Sequence, residues 1–386
     1  MPTNCSDSHP EASGALSLMG RRPAGGPPVE IPYSRQSIDD DDVAAVVRVL
    51  RSDRLTQGPA IEEFEARLIT ATGARFAVVF SSGSAALHAA CAAAGLGPGD
   101  RVATSTLSFV ASANCIVHVG AEPVLLDLDP ATWNLDPERV GDDIDALVAV
   151  HFAGLPVDLG SLPVRPRVVI EDAAHALGAR TPAGPVGNCA HSDLCCFSFH
   201  PVKAVTSGEG GAVTTNDPVL AGRLRSFRSH GLVHQPAVAG WYYDVTEAGW
   251  NYRLTDLQAA LGASQLGKLE AFVAARNELA ERYRRRLLGA PLELPPAAPP
   301  GWRHAYHLFA VGVADRRRVY DGLRAAGIGA QVHYTPIHQL SFYRDAAGGP
   351  WPVADAVASG LLSIPLFPTL GTERQDRVVD ALVAVL

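Results

Sequence analysis

Short apolar runs that end in polar residues alternate along this chain with stretches of helical periodicity. Phe76-Ala-Val-Val-Phe80 reads as a buried strand, and the alanine-rich stretch 84–96 after it as a helix. Further strands are predicted over 101–104, 124–128, 147–151, 168–171, 194–199 and 212–215, with helical stretches between several of them. Stretch 39–52 places Val43, Val46, Val47 and Leu50 on one helical face, a second helix follows Gly58-Pro59, and Pro218 after Asp217 opens another. Strands alternating with helices predict an α/β fold with a mostly parallel sheet covered on both faces. After Thr255-Asp256 a long helical pattern runs to about Leu288, and the proline-rich stretch 291–300 separates it from a smaller C-terminal lobe. That lobe is predicted to hold a strand near 308–313, a helix from Asp315, a strand near 330–334 and a terminal helix. The expected organisation is a mobile extension over 1–30, a large α/β domain over 31–265, and a connecting helix with a small α/β domain over 266–386. No internal repeat is visible.

The composition fits this architecture. The chain has 386 residues, 47% hydrophobic and 19% charged, enough for a sizeable core and too long for one small domain. A net charge of −8 argues against non-specific nucleic-acid binding. No apolar run approaches the length that spans a bilayer. Stretch 14–19 is too short for a signal-peptide core, and Arg21-Arg22 runs into Pro and Gly, so a cytoplasmic protein without membrane attachment is expected. The six cysteines show no framework spacing, and three lie in apolar runs; free buried thiols in a reducing compartment are expected.

The polar ends of the apolar runs carry the chemistry. Ile170-Glu171-Asp172-Ala173-Ala174-His175 closes one run, and Phe197-Ser-Phe-His-Pro-Val-Lys203 closes another before Ser207-Gly-Glu-Gly-Gly211. Ligands of parallel α/β sheets bind outside the carboxyl ends of the strands. A carboxylate at one strand end and a lysine past another suit a cofactor with a basic ring nitrogen and an aldehyde, and pyridoxal 5'-phosphate (PLP) has both. Asp172 would be expensively buried without a cationic partner, which a protonated pyridine nitrogen supplies; it also suits a helix N-cap. Apolar flanks would desolvate Lys203, lower its pKa and make it nucleophilic. His175, one helical turn after Asp172, is placed to reach the ring's phenolic oxygen or to pack, and Phe109 to stack on the ring or to fill core. Ser81-Ser-Gly83-Ser84 joins a strand to a helix, where free N–H groups and the helix dipole would hold a phosphate, although the same turn also reads as an ordinary cap. Ser198, on the strand face of Cys196, would add a hydroxyl. Gly95-Leu-Gly-Pro-Gly99 follows a helix and precedes a strand, the reverse of a dinucleotide fingerprint, and is expected to be a helix end and turn.

These segments together resemble the DegT/DnrJ/StrS-type sugar aminotransferases, PLP enzymes of fold type I. The resemblance covers about residues 30 to 386 and rests on five stretches: Leu55-Thr-Gln-Gly58, Ser-Gly-Ser-Ala-Ala-Leu87, Glu171-Asp-Ala-Ala-His-Ala176, Phe-Ser-Phe-His-Pro-Val-Lys203 with Gly208-Glu-Gly-Gly211, and Gly249-Trp-Asn-Tyr-Arg-Leu-Thr-Asp-Leu-Gln-Ala259. It implies a Schiff base at Lys203, the pyridinium partner at Asp172, ring support from His175 and stacking by Phe109. It also implies phosphate contacts from Gly83, Ser84 and Ser198, and an Asn251 that reaches the phosphate of the neighbouring subunit in a homodimer with shared sites. His200-Pro-Val-Lys203 and Gln331-Val-His-Tyr-Thr-Pro-Ile-His338 look most like the subgroup that makes UDP-4-amino-4,6-dideoxy-N-acetyl-altrosamine for pseudaminic acid, followed by the 4-amino-4-deoxy-arabinose enzymes. Ala204 stands where that subgroup often carries Asn. His333, Tyr334 and His338 would line the substrate side, or pack in the small lobe.

The implied activity is ping-pong transfer of an amino group from glutamate to the C4 ketone of a nucleotide-linked 4-keto-6-deoxy sugar. Other family sugars, such as a 4-keto-arabinose or a dTDP-linked 3- or 4-keto sugar, are the alternatives. A dehydratase branch of this fold carries His in place of the lysine, and a non-catalytic regulator would lose Lys203 or Asp172; this chain keeps both. A zinc site from His191, Cys195 and Cys196 is disfavoured because adjacent strand residues point to opposite faces.

Overall fold

A computed structural model describes residues 28–344 and 348–386. Its centre is a seven-stranded sheet in the order Phe76–Phe80, Gly211–Thr215, Leu194–Ser198, Val168–Asp172, Ala146–Val150, Arg101–Ser105, Glu122–Leu126. Gly211–Thr215 runs antiparallel to both its neighbours, and every other pairing is parallel. The five central residues from Val168 to Asp172 are all buried, as expected of a strand covered on both faces. The period-2 alternation sorts side chains onto two cores: Ala77, Val79 and Cys195 face one, and Val78, Phe80 and Cys196 the other.

Local chemistry starts the covering helices where the sequence indicates. Asp39 and Asp42 form a reciprocal capping box at the start of Asp40–Leu50, Pro59 opens Pro59–Thr72, and Asp217 caps Pro218–Arg228. The Gly95–Gly99 stretch is indeed a helix end and turn, with Gly95 and Gly99 at positive φ. The expected long helix after Thr255 is two helices, Asp256–Leu266 and Leu269–Arg286. The break falls at Gly267-Lys268, where glycine supports the helix poorly and Lys268 bridges Asp39 and Asp42 at 2.5 and 2.8 Å.

Leu269–Arg286 joins two cores. Leu269 and Val273 pack against the large sheet, whereas Leu279, Ala280 and Tyr283 enter a second cluster with Phe309, Val311 and Leu362. That cluster covers an antiparallel three-stranded sheet, Leu292–Glu293, Phe309–Val313 and Leu361–Ile364. The strand expected near 330–334 is absent: only Gln331 bridges, to Ser363, before the chain turns inward at His333 and Tyr334. Of the expected 1–30 extension, residues 1–27 lie outside the described residues, and Glu30 is held by Gly327 through its N–H and by Arg377 through its carboxylate. No helix of the described residues is long and apolar enough to cross a membrane.

Candidate active site

Asp172 is the last residue of its strand, set beside Val150 and Cys196 on the neighbouring strands. Asp172 is buried, 6% exposed, and no cationic side chain among the described residues is bonded to its carboxylate. Oδ1 accepts from the Ala174 N–H at 3.2 Å, a cap-like bond, and Oδ2 accepts from Ser112 Oγ at 2.7 Å. The chain after Asp172 forms a turn and no helix, so the expected N-cap is not there, and Oδ1 closes that turn instead.

Lys203 follows the strand Leu194–Ser198 in a turn tied back to that strand's exit. The Lys203 N–H donates to the His200 carbonyl, and the Thr206 hydroxyl and Ser207 N–H both donate to the Phe199 carbonyl. The side chain is part-buried and makes no ion pair among the described residues. Desolvation lowers its pKa to about 8, opposed by the charge of Asp172. A lysine with a pKa of about 8 is the free amine for about a tenth of its time at pH 7, far more than an ordinary lysine.

His175 lies beside them, its pKa pushed well down by burial and then by the charges of Lys203 and His333. Its Nε2 is 3.1 Å from the Tyr334 hydroxyl, and its Nδ1 is buried without a partner. His307 packs against it with tilted rings, their centres 4.3 Å apart. Burial raises the Tyr334 phenol, so it stays protonated. Phe109 faces Tyr334 at 5.9 Å and is 45% exposed, a large ring with one open face. His333 joins the group: its Nδ1 is 2.9 Å from Ser363 Oγ, its ring packs on Tyr33, and burial followed by the Lys203 charge takes its pKa to about 3. His338 stands apart from this cluster. It is held between Thr106 Oγ1 at 2.7 Å and Asp355 Oδ1 at 3.0 Å, stacked on Trp351.

On the other side of the cleft the helix Gly83–Ala93 begins one residue before the sequence suggests. Ser82 is the cap, accepting from the Ala85 N–H at 3.1 Å, which leaves the Gly83 and Ser84 N–H groups unpaired by the helix. A Cβ on Gly83 would sit 2.8 Å from the Ser198 Cβ and 3.1 Å from its Oγ, and one on Gly211 would strike the Ser82 carbonyl. Only glycine permits this approach, which brings Gly83, Ser84 and the Ser198 hydroxyl to one seat. Asn251 lies in a loop whose next residue, Tyr252, accepts from the Ser81 N–H at 2.8 Å; the Asn251 side chain is exposed and makes no hydrogen bond among the described residues.

These residues fit PLP. The cradle closed to any Cβ suits a phosphate, the partly satisfied carboxylate of Asp172 suits a ring N–H⁺, the orphaned Nδ1 of His175 suits a polar ring substituent, and the open face of Phe109 suits a planar ring. Sequence reasoning brought Lys203, Asp172, His175, Phe109, Gly83, Ser84 and Ser198 to this cleft. It missed Ser112, His307 and Tyr33. The only signal for Ser112 was its place one turn after Ser108, in a segment already singled out for Phe109. Cys195 and Cys196 point into different cores, so they do not share one site with His191; the five described cysteines are buried and unpaired.

The fold and the cleft define a PLP-dependent aminotransferase. The chain belongs to the DegT/DnrJ/EryC1/StrS aminotransferase family, whose model matches residues 36–383. Among relatives, the spore coat polysaccharide biosynthesis protein SpsC of Bacillus subtilis is 33% identical over 374 residues, covering 91% of this chain and 96% of the relative. Among solved structures, Helicobacter pylori PseC, an aminotransferase of pseudaminic acid biosynthesis, superposes with a TM-score of 0.86 at 29% identity, covering 92% of this chain and 98% of that one. The sugar aminotransferase Spr1654 of Streptococcus pneumoniae, solved in its PMP form, gives 0.85 at 26% identity with the same coverage. The chain is a PLP-dependent sugar aminotransferase.

Proposed function

We propose that the enzyme moves the amino group of glutamate to the C4 ketone of a nucleotide-linked 4-keto-6-deoxy sugar, with UDP-4-keto-6-deoxy-N-acetyl-altrosamine the first substrate to test. The observation that carries this reading is the Tyr334–His175 hydrogen bond. It joins Tyr334, in the segment that most resembles the altrosamine subgroup, to the His175 cluster, and so supports this reading.

When bound, the cofactor supplies a ring that stores the electron pair released as the amino group changes hands. Lys203, with its pKa lowered to about 8, would hold the cofactor and, once released by the amino donor, would serve as the base that takes the donor's Cα proton. Asp172 would pair with the ring nitrogen, and Phe109 would lie against the ring. His175, kept neutral by burial, would bond the ring's oxygen. Gly83, Ser84 and Ser198 seat the phosphate, and Asn251 reaches the phosphate of the partner subunit in a cytoplasmic homodimer. His333 and Tyr334 border the sugar, and His338 with its Asp355 and Thr106 bonds supports that wall. The large domain spans 31–265 and the small one 266–386, with the cleft between their cores.

A glutamate-dependent assay across UDP-, dTDP- and GDP-linked 4-keto sugars tests the reading. Preferred turnover of the UDP-linked N-acetylated 6-deoxy sugar supports it. Preference for a 4-keto-arabinose or a dTDP-linked 3-keto sugar overturns the substrate assignment while leaving the aminotransferase intact.

A further inference from the structure

The segment Ser108–Ser112 carries two hydroxyls that the site described so far does not use. Ser112 is fully buried and Ser108 is 4% exposed. Ser112 Oγ donates to Asp172 Oδ2 at 2.7 Å, and the Ser108 and Ser112 oxygens are 2.7 Å apart. A hydroxyl has one proton to give. With that of Ser112 committed to the carboxylate, the bond between the two serines must be donated by Ser108. The Phe109 carbonyl competes for the Ser112 proton at 3.2 Å, but the carboxylate is nearer and charged, which makes it the stronger acceptor. The neighbouring buried hydroxyls behave differently: Thr104 donates to the Val148 carbonyl and Ser105 to the Leu107 carbonyl. Among the described hydroxyls of this stretch, Thr106 pairs with the His338 ring, and Ser112 alone donates directly to a carboxylate.

We propose that Ser112, with Ser108 behind it, is a positioning residue that fixes which lone pairs Asp172 turns toward the cofactor ring. The same pair anchors the turn carrying Phe109 to that carboxylate, so the group facing the ring nitrogen and the group covering the ring face are set by one relay. This inference rests on the reading of Asp172 as the ring-nitrogen partner. A carboxylate that loses a hydroxyl donor becomes a stronger base, and a proton it shares with the ring nitrogen moves toward it. The ring then carries less positive charge, and the Lys203–cofactor linkage retains its proton to higher pH.

The test compares purified holoenzymes of wild type, Ser112→Ala, Ser112→Thr, Ser108→Ala and Asp172→Asn. The readouts are the PLP dissociation constant after reconstitution, the pH midpoint of the bound cofactor's visible band, and kcat against sugar KM. Ser112→Ala is expected to weaken PLP binding about tenfold or more, raise the midpoint, and lower kcat with little change in KM. Ser112→Thr, which keeps the hydroxyl, should restore both, and Ser108→Ala should move them in the same direction by less. An unchanged dissociation constant and midpoint in Ser112→Ala, with both shifted in Asp172→Asn, overturns the relay. Failure of Ser112→Thr to restore what Ser112→Ala loses also overturns it, since the effect is then packing. If Asp172→Asn itself leaves the midpoint in place, the reading of Asp172 falls and the relay with it. Should Ser112→Ala not fold, the direction of the Ser108→Ala midpoint shift decides.

Discussion

At the scale of single residues, the site works by placing ionisable groups where burial shifts them in useful directions. Lys203 is the clearest case. Its folded pKa of about 8 lies below the ordinary 10.5, so its ammonium costs the folded apoprotein stability below about pH 8. That cost fades as pH rises through the window between the two values, because there the unfolded chain binds more protons than the folded one. The apo wild type should therefore gain stability relative to apo Lys203→Met between pH 8 and 10.5, followed by thermal denaturation; a constant difference would mean the amine is not desolvated. Lys203→Ala should remain folded, fail to give a borohydride-trapped PLP adduct, and lose transamination. A trapped adduct on another lysine with normal turnover would sink that assignment. Asp172→Asn should fold and lose on the order of 10²–10³ in rate, the usual cost of one preorganised electrostatic partner. Turnover within a few-fold of wild type would reduce Asp172 to the cap-like bond it makes with Ala174.

At the scale of elements, the strand–turn–helix junctions decide where cofactor chemistry can sit, and they are also where the sequence was most legible. Asp172, His175 and Lys203 stand at the ends of apolar runs, so a period-2 reading finds both the strand and the residue that leaves it. The parallel sheet, the caps at Asp39, Asp217 and Asp315, and the turn at Gly95–Gly99 follow from the same local signals. What was not legible depends on contacts distant in the chain. Gln331–Tyr334 looks like a strand because Val332 and Tyr334 alternate with polar residues, yet its hydrogen bonds go to Ser363 and His175. Helix Pro352–Gly360 and strand Leu361–Ile364 lack a long periodic signal of their own: Ala354 and Ala358 cluster with Leu107, Leu128 and Trp133, and Leu362 and Ile364 enter the second core. Ser112 is separated from Asp172 by 60 residues, and nothing in Ala111-Ser112-Ala113 announces that pairing. The junction most open to test is Gly83. A Cβ there would stand 2.8 Å from that of Ser198, closer than ordinary packing allows, while most of the helix behind it is already buried. Gly83→Ala should therefore keep its secondary structure by circular dichroism but bind PLP at least tenfold more weakly, because the turn and the strand must separate where the phosphate sits. Unaltered PLP affinity would place the phosphate elsewhere.

At the scale of the whole molecule, the question is whether one chain completes its own site. The loop around Asn251 is fastened to its own chain by backbone bonds from Trp250 to Phe227, from Tyr252 to Arg228 and from Ser81 to Tyr252. Its Asn251 side chain nevertheless remains exposed, as do Trp250 at 51% and Trp241 at 81% in the neighbouring loops. Exposed aromatic side chains of this kind suit an interface. If Asn251 serves the partner's phosphate, Asn251→Ala and Lys203→Ala damage opposite halves of a composite site. A heterodimer of the two then holds one site with both lesions and one with neither. Mixing the two impaired homodimers under exchange conditions should restore activity, approaching half the sites of each heterodimer. The experiment needs differently tagged chains to prove exchange and an Asn251→Ala homodimer that is clearly defective. With those in hand, recovery establishes the shared site. No recovery would assign Asn251 to its own subunit's site, where the Ser81–Tyr252 bond already brings its loop beside the Gly83 turn, or to none.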